Sequence, residues 1–326
     1  MRNDMTTQTF PSPTPAGADT VVASVDPLPV PYRVIRDIVE AALAEDNPTG
    51  DLTGNVLLPA DATATADVVA REPGVLCGLA VFEAAMVLTD PATIVTSALA
   101  DGRAFAAGDV LATVTGPARS VLAGERVGLN LLQRLSGIAT ATRAFVDAAA
   151  GTGTRIADTR KTTPGLRALE RYAVRCGGGH NHRGSLSEAV MAKDNHLALL
   201  GTGDELTRAL LAARARLGHT VHFEVEIDAL DQLDAVLAAG VDTIMLDNFS
   251  LADLATGVRR IAGAALVEAS GNVRLDTVAD IAATGVDVIS SGSLTHSVRA
   301  LDLGLDVRIT DGRTRVDGRA GTGGAW

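Results

Sequence analysis

Four short apolar runs recur between residues 221 and 292: VHFEVEI (221–227), TIMLDN (243–248), ALVEAS (265–270) and DVISSG (287–292). They begin 22 residues apart, with helical segments between them. Strands that alternate with helices at so short an interval are typical of parallel βα units. Two earlier runs, TRIADT (154–159) and AVMAK (189–193), extend the series. The sequence therefore predicts six parallel strands, either in a barrel or in an open doubly wound sheet.

The polar ends of these runs favour the barrel. Several apolar runs end in a group that is expensive to bury unless it has a task, namely Lys193, Glu226, Asp247, Ser270 and Gly292 with its serine neighbours. In a βα barrel the carboxyl ends of the strands surround one mouth, so residues far apart in sequence meet there. We therefore predict that the functional site lies at that rim.

The chain before residue 151 has a different pattern. Residues 1–30 mix Thr, Pro, Ala and Ser without periodicity, which predicts a disordered leader. A helical period begins at Tyr32, and a longer one extends from Ser120 to Ala150. Between them, β-prone runs separated by Gly and Pro indicate a separate mixed α/β domain: ATADVVA, GVLCGLAV, ATIVTSAL and VLATVTG.

Composition excludes several classes of protein. A formal net charge of −11 argues against nucleic acid or an anionic membrane as the main partner. No run approaches the roughly 18 to 20 apolar residues of a membrane span, and the first residues lack a secretory pattern, so we expect a cytoplasmic protein. Cys77 and Cys176 are too few for a disulfide framework or a metal knuckle.

Basic residues are concentrated in one part of the chain. The 29 positions from Arg155 to Arg183 contain seven of them, against two acidic residues, Asp158 and Glu170. A solvated helix face is the simplest account of such a cluster. Arg160 and Lys161, however, directly follow a predicted strand and so stand at the barrel mouth.

Two features at the end of this basic segment, a triple glycine and a pair of histidines, each have two possible explanations. Gly177 to Gly179 would permit either the close approach of a ligand or a flexible hinge. His180 and His182 could ligate a metal, but no third ligand is near in sequence, so hydrogen bonding to an anion is favoured. We therefore expect this segment to bind a negatively charged group.

The later strands supply carboxylates and small polar loops. In VHFEVEI, His222, Glu224 and Glu226 share the face that would line the barrel interior. We expect Glu224 to pair with an interior Lys or Arg, whereas Glu226 and Asp247, at adjacent strand ends, could hold ribose hydroxyls or a Mg²⁺ bound to diphosphate. The final strands end in loops whose backbone N–H groups can surround a phosphate: Ser270, Gly271 and Asn272, then Ser290 to Ser293.

Taken in order, the motifs from Tyr32 to Val307 resemble those of the quinolinate phosphoribosyltransferase family, also called nicotinate-nucleotide pyrophosphorylase (carboxylating). The similar segments are ALAEDNPTGDLT, ERVGLNLLQRLSGIAT, DTRKTTPGLRALERYAVRCGGGHNHR, AKDNH, EVEID, IMLDNF, EASGN and SGSLTHS. The resemblance implies transfer of phosphoribose from phosphoribosyl pyrophosphate to quinolinate, which yields nicotinate mononucleotide, CO2 and diphosphate in de novo NAD biosynthesis. It also implies an N-terminal α/β sandwich domain followed by an incomplete, six-stranded α/β barrel.

The resemblance also assigns roles to residues. It implies that two substrate carboxylates meet a set of cationic and polar groups: Arg160, Arg183 and Lys193, with Thr159, Lys161 and His182 nearby, and Arg126 from the neighbouring subunit of a homodimer. The second substrate, bound with Mg²⁺, would occupy Glu226, Asp247, Ser270, Gly271, Asn272, Ser291, Gly292 and Ser293. Lys161 or Lys193 would steady the charge left by decarboxylation.

The family also implies domain boundaries. They are 31–133 for the sandwich, with the return of about 299–313, and 134–298 for the barrel, which leaves a flexible tail at 314–326. Arg171, Ser291 and Ser293 depart from the commoner family residues. Three rival hypotheses remain: a paralogue that uses another pyridine acid or base, a Schiff-base aldolase with Lys193 as nucleophile, and a non-catalytic phosphate-sensing or scaffold protein.

Overall fold

A computed structural model describes residues 29–308. The predicted leader, apart from its last two residues, and the predicted tail lie outside the described residues. The N-terminal part contains α1 (Tyr32–Asp46), α2 (Leu52–Leu57), β1 (Thr63–Ala70), β2 (Gly74–Val75), α3 (Leu79–Thr89), β3 (Ile94–Ser97), β4 (Ala104–Phe105) and β5 (Val110–Pro117). Along β1, every second residue is buried, as expected for a strand with one face on a core.

The first sheet is antiparallel and includes the end of the chain. Its order is β12–β1–β5–β3, in which β12 (Leu303–Arg308) pairs with β1. β2 and β4 form a separate pair. The prediction of a strand over GVLCGLAV is wrong beyond its first two residues, because Gly78, with a φ of 108°, turns the chain into α3.

A single long helix joins the two parts of the molecule. Helix α4 (Ala118–Ala148) is close to the predicted one and packs against α1, α3 and α5. A Cβ on Gly137 would lie 2.2 Å from the carbonyl oxygen of Arg299, so only glycine lets the C-terminal segment cross the helix here. Gln133 then donates from Nε2 to the carbonyl oxygen of Leu303 at 2.6 Å, which fixes the start of β12 on α4.

The second part is built from six strands and the helices between them. These are β6 (Arg155–Ala157), α5 (Arg167–Cys176), β7 (Val190–Ala192), α6 (Asp194–Leu197), α7 (Gly203–Arg214), β8 (Phe223–Ile227), α8 (Leu233–Ala238), β9 (Thr243–Asp247), α9 (Leu251–Ile261), β10 (Leu266–Ser270), α10 (Val278–Ala282), β11 (Val288–Ser290) and α11 (Ser293–His296). All six predicted runs contain a strand, and every pair in the sheet is parallel.

The strand order shows an incomplete barrel. It is β6–β11–β10–β9–β8–β7, so the two edge strands are neighbours in sequence and are not paired with each other. The predicted fold class, an α/β sandwich followed by an incomplete α/β barrel, is confirmed. In β8 the apolar residues Phe223, Val225 and Ile227 belong to the apolar core, whereas Glu224 faces the cluster of polar groups inside the sheet. Among residues 29–308, no helix combines the length and hydropathy of a membrane span.

Candidate active site

A cavity of about 390 Å³ lies at the carboxyl ends of the barrel strands, where the sequence predicts the site. It brings together nine of the predicted site residues. Its lining is Thr159, Arg160, Lys161, His182, Arg183, Met191, Lys193, Glu226, Met245, Asp247, Ser270 and Ser290. Arg126 is not part of this lining and lies exposed on α4.

One wall of the cavity is cationic. Arg160 and Lys161 follow β6, and the hydroxyl of Thr159 accepts a hydrogen bond from the backbone N–H of Lys161 at 3.1 Å. Arg183 donates from Nη1 to the carbonyl oxygen of Ala189 at 2.9 Å, which holds its side chain beside β7. Burial and the neighbouring charge of Arg160 lower the pKa of Arg183. The two guanidinium groups are therefore crowded together in a way that an anion would relieve.

A second wall of the cavity carries carboxylates at adjacent strand ends. Glu226 in β8 forms an ion pair with Lys193, which follows β7. Asp247 ends β9 and accepts a hydrogen bond from Nδ2 of Asn248 at 2.6 Å. Asn248 in turn accepts one from Asn272 at 3.0 Å, so Asn248 links the ends of β9 and β10. Sequence reasoning did not single out Asn248, although its adjacency to Asp247 was a usable signal.

The two predicted phosphate loops flank this wall. Gly271 has a φ of 86°, and a Cβ on it would lie 2.2 Å from Oδ1 of Asn248, so the loop requires glycine. A Cβ on Gly292 would lie 2.7 Å from Cδ of Lys161, so glycine there lets the lysine pack on the second loop. The hydroxyls of Ser291 and Ser293 hydrogen-bond to each other at 2.7 Å. Phosphate contacts from Gly271, Asn272, Ser291, Gly292 and Ser293 stay predictions.

The triple glycine, Gly177 to Gly179, allows close packing. The sequence had suggested either the approach of a ligand or a flexible hinge. Gly178 has a φ of 90°, and a Cβ on Gly177 would lie 2.5 Å from the carbonyl oxygen of Ala139. A Cβ on Gly179 would lie 2.7 Å from Cγ2 of Thr142. Both outer glycines therefore let the segment pack against α4 just before it reaches His182 and Arg183 in the cavity lining.

His182 lines the cavity, and its Nε2 is directed at two carboxylates of the barrel interior. Its Nε2 lies 3.1 Å from Oε2 of Glu224 and 3.5 Å from Oε1 of Glu268. The expectation that Glu224 pairs with Lys or Arg is wrong, because the segment before β7 brings a histidine to it instead. To bind a substrate carboxylate through Nε2, the His182 ring would have to release Glu224, so that contact stays a prediction.

The protonation of His182 decides whether this cluster could hold a metal. Burial lowers the pKa of His182, but its hydrogen bond to Glu224 and the charge of Glu268 raise it above the ordinary value. The backbone N–H of Arg183, however, donates a hydrogen bond to Nδ1 at 2.7 Å. Nδ1 must accept this bond, so it does not carry a proton of its own. The ring proton therefore lies on Nε2, facing Glu224 and Glu268, and an ion bound by these three groups would have to displace it.

Glu268 should make the stability of the protein fall as the pH rises. Burial, and then the charge of Glu224, raise its pKa from 4.5 to about 7. Between these pH values the folded protein keeps a proton that the unfolded chain has lost, so stability decreases by roughly 3 kcal/mol as pH passes through this interval. We expect Glu268→Gln to remove this dependence in urea unfolding at pH 5 and 7.5. The exposed Glu188→Gln should keep it, and an unchanged slope in Glu268→Gln would contradict the assignment.

A buried ion pair supports the cavity from behind. Arg134 on α4 donates from Nη2 to Oε1 of Glu170 at 3.0 Å, and the Glu170 side chain is fully buried. Glu170 accepts hydrogen bonds from the backbone N–H and the hydroxyl of Thr163, in the loop after Lys161. Arg134 also donates to the carbonyl oxygen of Thr295 at 2.5 Å. The pair therefore joins the cationic loop to the second phosphate loop.

Comparison with known proteins agrees with this arrangement. Residues 51–136 match the family model for the quinolinate phosphoribosyl transferase N-terminal domain, and residues 138–306 match the model for the C-terminal domain. The chain is 45% identical over 284 residues to the nicotinate-nucleotide pyrophosphorylase [carboxylating] of Mycobacterium leprae, covering 85% of this chain and 98% of that one. The Bacillus subtilis protein with the corresponding name, there called probable, is 41% identical, at 85% and 94% coverage.

Solved structures give the same result. The nicotinate-nucleotide pyrophosphorylase of Francisella tularensis superposes with a TM-score of 0.81 at 38% identity, covering 86% of this chain and 98% of that one. Both domains and nearly the whole length of the relatives are therefore accounted for. The chain belongs to the quinolinate phosphoribosyltransferase family.

Proposed function

We propose that this protein catalyses decarboxylating phosphoribosyl transfer from phosphoribosyl pyrophosphate to quinolinate, a step of de novo NAD biosynthesis. The observation that carries the proposal is the division of one cavity into a cationic wall and a carboxylate wall beside small-residue loops. Arg160, Arg183 and Lys161 fit two adjacent carboxylates, because planar guanidinium groups bind carboxylates through paired hydrogen bonds. Glu226 and Asp247 fit the sugar and diphosphate of the donor.

The donor side also suits a divalent metal. Glu226 and Asp247 offer carboxylate oxygens from the neighbouring strands β8 and β9, the ligand type that Mg²⁺ prefers. We propose that these residues hold Mg²⁺ together with the diphosphate, where the ion would neutralise charge on the leaving group. Its arrival would compete with Lys193 for Glu226, because the two residues are paired. Lys193 would then be available to the substrate carboxylates.

The reaction then needs no nucleophilic side chain of the protein. The pyridine nitrogen attacks C1 of the ribose as diphosphate leaves, and the ring becomes cationic. The bond from C2 to its carboxylate breaks, CO2 leaves, and the electron pair stays on C2 until a proton replaces it. Lys161 and Lys193 line the same cavity and are positioned to steady this charge.

We also propose a homodimer in which Arg126 of one subunit completes the site of the other. Arg126 is exposed on α4 and lies outside the cavity of its own chain. Together with Arg160 and Arg183, it would give the site three guanidinium groups for the two carboxylates of a pyridine dicarboxylate. Both cysteines are free, which accords with a cytoplasmic location.

The rival hypotheses have less support. The family assignment disfavours an aldolase, and nucleophilic lysines of that class lie in apolar pockets or beside other cations. Lys193 instead contacts a carboxylate. A paralogue that takes a pyridine monocarboxylate would leave one guanidinium without a partner. A non-catalytic phosphate sensor would account for the cations but not for the carboxylates Glu226 and Asp247 in the same cavity, nor for the family assignment.

The decisive assay measures CO2 released from quinolinate labelled at the 2-carboxylate. We expect release only with phosphoribosyl pyrophosphate, its loss on chelation of divalent metal, and its recovery with Mg²⁺. Nicotinate should be a poor acceptor in the same assay. Release without the donor, or efficient turnover of nicotinate, would contradict the proposed reaction.

A further inference from the structure

We propose that Asp158 is a specificity-determining positioning residue, whose buried carboxylate sets the separation of Arg160 and Arg183 and so fits the site to two adjacent carboxylates. The inference rests on the proposed function, since it concerns the acceptor side of that site. Asp158 is fully buried directly after β6, and nothing about its sequence position indicates a role.

The first support is the hydrogen bonding between residues 156–158 and residues 180–182. It follows the pattern of a parallel ladder and then continues through the side chain of Asp158. His180 donates its backbone N–H to the carbonyl oxygen of Ile156 at 2.7 Å, and Asp158 donates its own to the carbonyl oxygen of His180 at 3.1 Å. The next bond of a parallel ladder would join the N–H of His182 to the backbone of Asp158. It goes instead to the side-chain oxygen Oδ1 of Asp158, at 2.7 Å.

The side chain of Asp158 thus takes the place of a backbone acceptor between the two segments. Its carboxylate lies between the chain after Asp158 and the chain that leads to Arg183. Arg160 lies two residues after Asp158, and Arg183 lies one residue after His182. The hydrogen bonds of one carboxylate therefore hold both of the segments that carry these two cations.

The second oxygen of Asp158 locks the same segment. Oδ2 accepts a hydrogen bond from Nδ2 of Asn181 at 2.5 Å, and that amide also donates to the carbonyl oxygen of Arg171 at 2.9 Å. Arg171 donates from Nη1 to the carbonyl oxygen of His182 at 2.6 Å. Helix α5, β6 and the segment 180–183 are thus tied at one carboxylate.

The burial of this charge costs free energy, which argues for a role. Burial raises the pKa of Asp158, against the opposing effects of the His182 N–H and the charge of Arg171. An apolar residue would fill the space without that cost, but it could not accept the two hydrogen bonds. The arrangement keeps Arg183 and Arg160 close enough for the charge of one to lower the pKa of the other. Two adjacent carboxylates neutralise both cations, whereas one carboxylate does not.

The test compares Asp158→Asn with a matched control. Asparagine keeps the size of the side chain but places an N–H2 group opposite an existing donor. Asp287→Asn makes the same change at the other end of the strands, where Oδ2 of Asp287 accepts the backbone N–H of Val267 at 2.8 Å. The probes are benzene-1,2-dicarboxylate, benzoate and phosphoribosyl pyrophosphate, with binding measured by calorimetry on the full-length protein.

We expect Asp158→Asn to weaken binding of the dicarboxylate by roughly 10- to 100-fold, the effect of losing a charge-assisted arrangement. Benzoate and phosphoribosyl pyrophosphate should change less than about threefold. Asp287→Asn should leave the ratio of dicarboxylate to benzoate affinity unchanged. If Asp158→Asn does not fold, Asn181→Ala removes one of the two bonds and should shift the ratio in the same direction.

Two results would overturn the inference: an unchanged dicarboxylate-to-benzoate ratio in a folded Asp158 or Asn181 variant, or an equal loss for all three probes. The wild-type protein separates this failure from that of the proposed function. If wild type does not bind the dicarboxylate or release CO2, the proposed function fails. If it does both while the variants keep its selectivity, only the role of Asp158 fails.

Discussion

Replacement of Arg183 by alanine should raise the KM for quinolinate by roughly 100- to 1000-fold, with a change of less than about threefold in the KM for phosphoribosyl pyrophosphate. Truncation of a partly buried charged partner costs about 2 to 5 kcal/mol, and each 1.4 kcal/mol is a factor of ten. Arg183 meets these conditions, because its guanidinium is partly buried and is held by the carbonyl oxygen of Ala189. Steady-state kinetics with each substrate varied in turn measures the effect.

The matched control for this prediction is Arg155→Ala. Arg155 is an exposed arginine at the start of β6, at the opposite end of the strand from Arg160. Its loss should leave both KM values near those of wild type, whereas Arg160→Ala should behave like Arg183→Ala. Equal rises in KM for both substrates in the Arg183 variant would refute the division of the cavity into two walls.

Among the residues that support the site from outside the cavity, Arg134 should be the one whose replacement lowers the free energy of unfolding most. Arg134→Met leaves the fully buried Glu170 carboxylate without its cation, and breaking a buried pair in this way costs about 3 to 5 kcal/mol. The loop that contains Thr163 and helix α11, which contains Thr295, also lose their common anchor. Denaturant unfolding at pH 7 should show the loss directly.

An exposed ion pair gives the contrast. Arg260 and Asp234 are 2.6 Å apart, but the Asp234 side chain is 80% exposed, so Arg260→Met should change stability little. The double variant Arg134→Met with Glu170→Leu should recover part of the lost stability, because no unpaired charge remains buried. Equal stability of the Arg134 and Arg260 variants would show that the buried pair has no special role.

The sequence predicted the parts of the fold that depend on local periodicity. The runs 221–227 and 243–248 were recognisable because parallel strands buried on both faces are short, apolar and regularly spaced. The site residues at their ends followed, because the carboxyl ends of barrel strands must converge. Glu226, Asp247 and Arg160 line one cavity for this reason.

Features that depend on contacts between distant segments were not predictable. Asp158 and Glu170 were counted only as two acids within a basic cluster, because their partners lie on other elements. Glu224 was expected beside Lys or Arg, since sequence does not reveal which group the fold brings to it in the barrel interior. Gly78 ended a strand early through a positive φ that no hydrophobic pattern records.

The position of β12 has a consequence for how the chain is made. Its partner β1 emerges from the ribosome near the beginning of synthesis, but β12 follows about 190 residues after the end of β5. At about 5 to 20 residues per second, that edge of β1 waits on the order of 10 to 40 s for its partner. An open strand edge invites pairing with other chains. The nascent N-terminal domain therefore depends on timely completion of the barrel, and chains that stop before Leu303 should aggregate during translation.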